Sequence, residues 1–229
     1  MIKRIALLAL LLVPTMMQAQ EVEKGSEKKA TVQKPSRDFL MLQFNYEGWV
    51  KPDSIKTTGI GRGFNAYLCY DFPIKNSNFS FAAGIGIGTS NIYLDGQQIL
   101  NTDTVSYTRF VNETVNYKRY KLTTAYLEAP FEFRVYGNRD NRNKGFKAAV
   151  GMRVGTLVGT HTKGREDGTK VNYKNNSKKN LETWRFAATA RIGYGNFTLM
   201  GTYNLTNLYK DGEGPAITPY SIGICITGL

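Results

Sequence analysis

From Asp38 onward the chain repeats one pattern: about ten residues in which apolar side chains alternate with small or polar ones, then a stretch rich in Gly, Asn, Asp and Lys. A period of two is the period of a β-strand, and it sorts side chains onto two opposite faces. In the last such segment Tyr220, Ile222, Ile224 and Ile226 share one face, and Ser221, Gly223, Cys225 and Thr227 the other. Likewise Phe64, Ala66, Leu68, Tyr70 and Phe72 stand opposite Gly63, Asn65, Tyr67, Cys69 and Asp71, while Phe197, Leu199, Tyr203 and Leu205 oppose Thr198, Thr202, Asn204 and Thr206. One face is apolar, with aromatics near the strand ends. The other carries charge of both signs: Glu47, Asp71, Glu128, Glu132, Arg134, Lys147, Arg153, Arg185 and Arg191.

A face bearing both signs of charge cannot sit in lipid, and in the dry core of a sandwich it would carry a heavy desolvation penalty. It suits the lumen of a narrow barrel, where small residues on the same face (Ala82, Gly84, Gly86, Gly88, Gly151, Gly155) leave room for long side chains. The apolar face suits lipid, and its aromatics suit the interfacial girdles. Strands are expected at about 38–49, 61–72, 78–93, 120–136, 144–160, 182–195, 196–209 and 218–229. That count is even. The intervening connections alternate long and short, as they do between the outer loops and periplasmic turns of outer-membrane barrels. The expected fold is therefore all-β: an eight-stranded antiparallel up-and-down transmembrane β-barrel. Its interior is just wide enough for side chains to fill, so a plugged lumen is expected in place of an open pore. A soluble exported barrel of the lipocalin kind, binding an apolar ligand, would need the two faces reversed.

The start of the chain reads Met-Ile-Lys-Arg, then an apolar run from Ile5 to Val13, then a polar stretch to Ala19. A basic start, a run too short to span as a stable helix and a small residue before the cut define a cleaved signal peptide over 1–19. Residues 20–37 are rich in Lys, Glu, Ser and Gln and are expected to form a flexible periplasmic leader, with the barrel domain at 38–229. Beyond residue 20 no apolar stretch approaches the ~18 residues of a membrane helix, so any crossing is made by strands. The expected location is the outer membrane. The formal net charge is +12, of which Lys3 and Arg4 leave with the signal peptide. A nucleic-acid binder could carry such charge, but an exported chain rarely meets nucleic acid. Attraction to anionic head groups of membrane lipid is the sharper reading, against one of solvated loops. Cys69 and Cys225 fall on the first and third of three neighbouring strands, roughly 9–10 Å apart, too far for a disulfide. Both are expected to be free and to face the lumen.

The segment Ala125-Tyr126-Leu127-Glu128-Ala129-Pro130-Phe131-Glu132-Phe133 resembles the Tyr-Leu-Glu-x-Pro strand of the outer-membrane β-barrel family of Bacteroidetes, which includes PorT-like proteins. The Ala-Gln that ends the signal peptide and the closing Tyr220-Ser221-Ile222-Gly223-Ile224 strand match that family too. The resemblance runs over roughly 38–229. It implies an outer-membrane barrel and, for part of the family, a role in protein secretion.

No catalytic constellation stands out. His161 is the only histidine, expected at the start of a long outer loop. Lipid A palmitoyltransferases and deacylases, both eight-stranded barrels, use a histidine near the outer rim, which makes a lipid A-modifying barrel enzyme the alternative reading. A working base needs a nucleophile in reach and a group to orient it, and Thr160, Thr162 and Lys163 do not match the deacylase pattern. Glu128 and Glu132 share a face about 13 Å apart, too wide for paired-carboxylate chemistry. With Arg134, Arg153, Arg185 and Arg191 they are expected to form a structural charge network in the lumen. Pro130 between them lacks an amide donor, which predicts a bulge or a break in the ladder. The Gly84-x-Gly86-x-Gly88 run sits within a strand pattern with no helix after it, so it is no nucleotide loop. One His and two distant Cys supply no metal ligand set, and no cofactor or ligand-binding residue is assigned. The expected partners are outer-membrane lipid and, through loops 94–119 and 161–181, envelope proteins or surface ligands.

Overall fold

The computed structural model describes residues 39–100, 106–138, 144–168 and 172–228. The expected signal peptide and leader lie outside the described residues. In chain order the strands are β1 (Leu40–Val50), β2 (Gly61–Pro73), β3 (Phe79–Leu94), β4 (Gln97–Leu100), β5 (Arg109–Asn112), β6 (Tyr117–Tyr136), β7 (Phe146–Glu166), β8 (Asn172–Asn175), β9 (Trp184–Tyr194), β10 (Phe197–Asn204) and β11 (Thr218–Thr227). Eight of them (β1, β2, β3, β6, β7, β9, β10 and β11) form a ring, each antiparallel to the next, and the β11–β1 ladder closes it. Ring order follows chain order, so the barrel is up-and-down. β4 and β5 make a separate hairpin inside the β3–β6 connection, and β8 adds to the far end of β7.

The outer face is the apolar one. Leu199 is 65% exposed and Val150 61%, and Leu68, Ile85 and Ile224 are exposed beside them. Large apolar residues open to the surroundings over the whole circumference are what hydrocarbon solvates and water does not. Aromatics ring this belt at both ends. Phe72, Phe79, Phe81 and Phe133 lie at the short-turn end, in two pairs: Phe79 stacks on Phe133 at a centroid distance of 5.3 Å and Phe72 lies tilted to Phe81 at 6.3 Å. Tyr46, Trp184, Phe186 and Tyr203 lie toward the long-loop end.

The wall is uneven in height. β7 has 21 residues and β10 has 8, or about 69 Å against about 26 Å of extended chain. Two expected boundaries are corrected here: β7 runs to Glu166, past the expected 160, and β10 stops at Asn204, short of the expected 209. β6 and β7 continue past the lipid belt because their inner faces still have something to cover. Tyr120, Leu122, Tyr126 and Leu157 pack there against Ile55, Leu181, Leu208, Tyr209 and Ile217 from the long connections. Beyond the end of β10, Leu208 and Tyr209 turn inward to join that core, while Leu205 stays on the outer face. Backbone hydrogen bonds tie the connections to one another, Glu182 N–H to Leu208 O at 2.9 Å and Thr108 N–H to Glu213 O at 2.8 Å. The long connections thus fold over the mouth of the barrel as an apolar cap.

Two irregularities decide which way side chains point. Pairing between β3 and β6 skips Ala129 and Pro130 and resumes in unchanged register, Ala83 opposite Phe131 and Gly86 opposite Glu128. Pro130 therefore gives a break in the ladder and no bulge. The bulge lies in β7: Ala125 pairs Gly159 while Tyr126 pairs Leu157, which leaves Val158 without a partner. Up to Leu157 the odd-numbered residues of β7 face the lumen. One unpaired residue reverses that phase, so His161, Lys163 and Arg165 face outward.

Candidate functional site

The lumen holds two charge clusters, one nearer each end. Toward the short turns, a single oxygen of Glu132 accepts from Arg134 Nε at 2.8 Å and from Arg191 Nη2 at 2.8 Å. Arg134 Nη1 lies 3.6 Å from Asp71, which also accepts from Ser80 Oγ at 2.7 Å. Strands β2, β3, β6 and β9 are joined in this way across the interior. Lys147, beside them, donates to Thr227 at 3.4 Å and lies over the Tyr136 ring.

Toward the loops, Glu128 is the hub. It accepts from Arg185 Nη2, from the Tyr67 hydroxyl and, at 3.4 Å, from Arg153 Nη1. Arg153 also donates to Tyr67 at 2.6 Å and to Thr202, and the Arg185 guanidinium sits 4.0 Å from the centre of the Tyr126 ring. Strands β2, β6, β7, β9 and β10 meet at this point. Two glycines make the room: a side chain at Gly88 would collide with the Glu128 carboxylate, and one at Gly63 with that of Glu47. Between the clusters lie Met41, Tyr67, Cys69, Met200 and Cys225, and both cysteines are free.

All six of the expected lumen residues are therefore inward, and the ladder explains which of them meet. Arg153 neighbours Glu128 across the β6–β7 pair, but Arg185 and Arg191 reach from β9, two strands away, across the narrow bore. Tyr67 and Thr202 are further members that sequence reasoning did not single out; their only mark is an inward position. Above the network the interior narrows to a cavity of about 10 Å³ lined by Arg185, Tyr126, Trp49 and Leu208, room for about one water. The apolar cluster of Ile55, Leu181, Tyr209 and Ile217 lies above it.

His161 does not lie in a loop. It is in β7 opposite Thr123, on the part of the outer face that rises beyond the lipid belt, and its imidazole makes no hydrogen bond among the described residues. Partial burial, followed by the charges of Lys174, Lys121 and Lys163, holds its imidazole below the ordinary value. With no carboxylate hydrogen-bonded to it to fix its orientation, the imidazole lacks the arrangement of a general base.

Around it lies a surface that the sequence pattern did not reveal. The ladders set Lys121 directly opposite Lys163, Lys163 opposite Lys174, and Arg119 opposite Arg165. Tyr93 stands beside Lys121, and Arg62 follows on β2 opposite Asn91. An open groove of about 450 Å³ is lined by Tyr93, Arg119, Lys121, Lys163, Arg165 and Asn172.

Comparison with curated protein sequences finds no match. Among solved structures, the chain is similar to the crystal structure of Ail, the attachment invasion locus protein of Yersinia pestis, at 10% sequence identity and a TM-score of 0.32, over 82% of this chain and 95% of that one. A family model described as outer membrane protein beta-barrel domain matches residues 37–210, which contain both charge clusters and the greater part of the ring, and the chain belongs to that family of outer-membrane β-barrels.

Proposed function

We propose that this barrel is a closed, non-conducting and non-enzymatic membrane platform, whose working surface is the loop end and the tall β6–β7 wall. Two observations at successive levels of the bore support this reading together. Glu132 and Glu128 each draw arginines across the bore, and the apolar cap of Ile55, Leu181, Tyr209 and Ile217 lies above them. A hydrated ion would have to part buried ion pairs and then cross an apolar layer, both of which oppose entry. The same lumen argues against a lipocalin-like pocket, because a charged interior has nothing to offer an apolar ligand. What is left to act is the exterior. Envelope proteins, including partners in a secretion apparatus as the PorT resemblance implies, would meet the platform there.

The test is conductance. Full-length protein, folded and inserted into planar bilayers, is expected to give no stepwise currents across the voltage range in which open barrels conduct. Steady openings in most insertions would overturn the closed-lumen reading.

A further inference from the structure

Rows of like charge facing one another across a sheet are destabilising, so a strand pair that carries them bears a penalty unless something outside neutralises it. On the outer face of β6, β7 and β8 three such pairs lie close together: Lys121 with Lys163, Lys163 with Lys174, and Arg119 with Arg165. In the lumen, by contrast, Arg134, Arg153, Arg185 and Arg191 each lie against a carboxylate. Here none of Arg119, Lys121, Lys163, Arg165 and Lys174 forms an ion pair among the described residues, and no described carboxylate lines the groove between them. Lys121 is held in place by a 2.9 Å hydrogen bond to Asn91, which also accepts from Thr123 at 2.8 Å. The Val158 bulge adds a second observation. Without its change of phase Lys163 and Arg165 would point into the apolar cap; with it they point out and join Arg119 and Lys121 on one face.

The position of this face defines what it meets. On the same strands, directly toward the membrane, stand Leu127, Phe131 and Phe133 of β6 and Val150, Met152 and Val158 of β7, all exposed. The cationic groove is thus continuous with the lipid-facing belt and begins where the belt ends. A groove of about 450 Å³, edged by an aromatic ring (Tyr93) and four cations, matches a phosphorylated sugar in size and charge.

We propose that this groove binds the phosphate-bearing saccharide head group of an anionic glycolipid in the outer leaflet, whose acyl chains lie along the belt below. The inference rests on the loop end being the outer end of the barrel. It does not depend on whether the lumen conducts.

The experiment uses the full-length chain folded in detergent micelles, with bound lipid counted and affinity measured by native mass spectrometry. The probes are diphosphorylated lipid A, the same lipid stripped of phosphate, and inorganic pyrophosphate. Retention of the diphosphorylated lipid, with loss of binding when the phosphates are removed, is expected. A variant carrying Arg119→Gln, Lys163→Gln and Arg165→Gln should bind about tenfold more weakly, the scale set by three partly exposed charge contacts. A control carrying Lys75→Gln, Lys144→Gln and Lys178→Gln loses the same charge elsewhere and should bind as the unaltered chain does. Heat-dependent gel mobility verifies that each variant is folded. Equal weakening in both variants would overturn a specific groove. Equal binding of all three proteins would overturn it too. Pyrophosphate bound as tightly as lipid A would reassign the site to free phosphate. A barrel that conducts yet keeps the lipid preference overturns only the closed-lumen reading, and a silent barrel without the preference overturns only this one.

Discussion

Glu132 takes two guanidinium groups on one oxygen while buried, and that makes it the residue on which the lower lumen turns. Arg134 has Asp71 as a further neighbour at 3.6 Å, but Arg191 directs both its Nε and its Nη2 to Glu132, at 3.2 Å and 2.8 Å. Removing the carboxylate strands a buried charge, and breaking a buried pair from one side typically costs about 3–5 kcal/mol. Glu132→Ala is therefore expected to lower the urea midpoint of the barrel in lipid vesicles by that equivalent. Glu132→Gln, which keeps an acceptor oxygen, should recover part of the loss. An unchanged midpoint for the alanine variant would mean that water reaches the site freely. The residue types at these positions were legible from the strand alternation alone, because a charge at every second place can only face a lumen. Their pairing was not. Arg185 and Arg191 meet their carboxylates from β9 across the bore, and the distance across a closed ring leaves no trace in the spacing along the chain.

The elements divide in the same way. Period-two patterning marks the ring strands, and turn residues mark the short connections, because both effects act within a few residues. The bulge at Val158 is silent in the sequence, since an extra residue in a strand needs no special side chain. It is why His161 was expected in a loop and stands instead on the outer face of β7. The cap was hidden for another reason: its members Ile55, Leu181, Leu208, Tyr209 and Ile217 are spread over three polar connections and show no period. Tyr209 is the centre of that element, buried edge-on to Phe110 at 6.2 Å, which in turn meets Trp49 at 6.3 Å. Its enclosure pushes the phenol well above its ordinary value, so it stays neutral at any physiological pH. Tyr209→Ala would leave a cavity at this junction, with the ring below untouched. Limited trypsinolysis should then cut at Arg109 and Lys210 at least about tenfold faster, as expected when local opening becomes easier by a few kcal/mol. Heat-dependent mobility of the barrel should persist. Loss of that mobility would show that cap and ring unfold as one unit.

At the scale of the whole molecule, the two ends of the barrel differ in every respect that bears on orientation. The connections 74–78, 137–145 and 195–196 are short, whereas 51–60, 95–116, 167–183 and 205–217 are longer. Short turns face the periplasm in outer-membrane barrels and long loops face outward. The tall β6–β7 wall and its row of cations stand on the loop side, so this orientation also decides whether the groove can reach an outer-leaflet head group. Both native cysteines are almost wholly enclosed, Cys69 at 2% exposure and Cys225 at 0%, so a folded barrel offers a thiol reagent little background. Single cysteines can then report each end separately. In intact cells a membrane-impermeant maleimide is expected to label an Asn176→Cys variant, in the β7–β9 connection, at once. A Lys75→Cys variant, in the β2–β3 turn, should label only after the outer membrane is permeabilised. The opposite order would invert the barrel, putting the basic groove in the periplasm and removing the outer-leaflet glycolipid as its ligand, with every distance in the lumen unchanged.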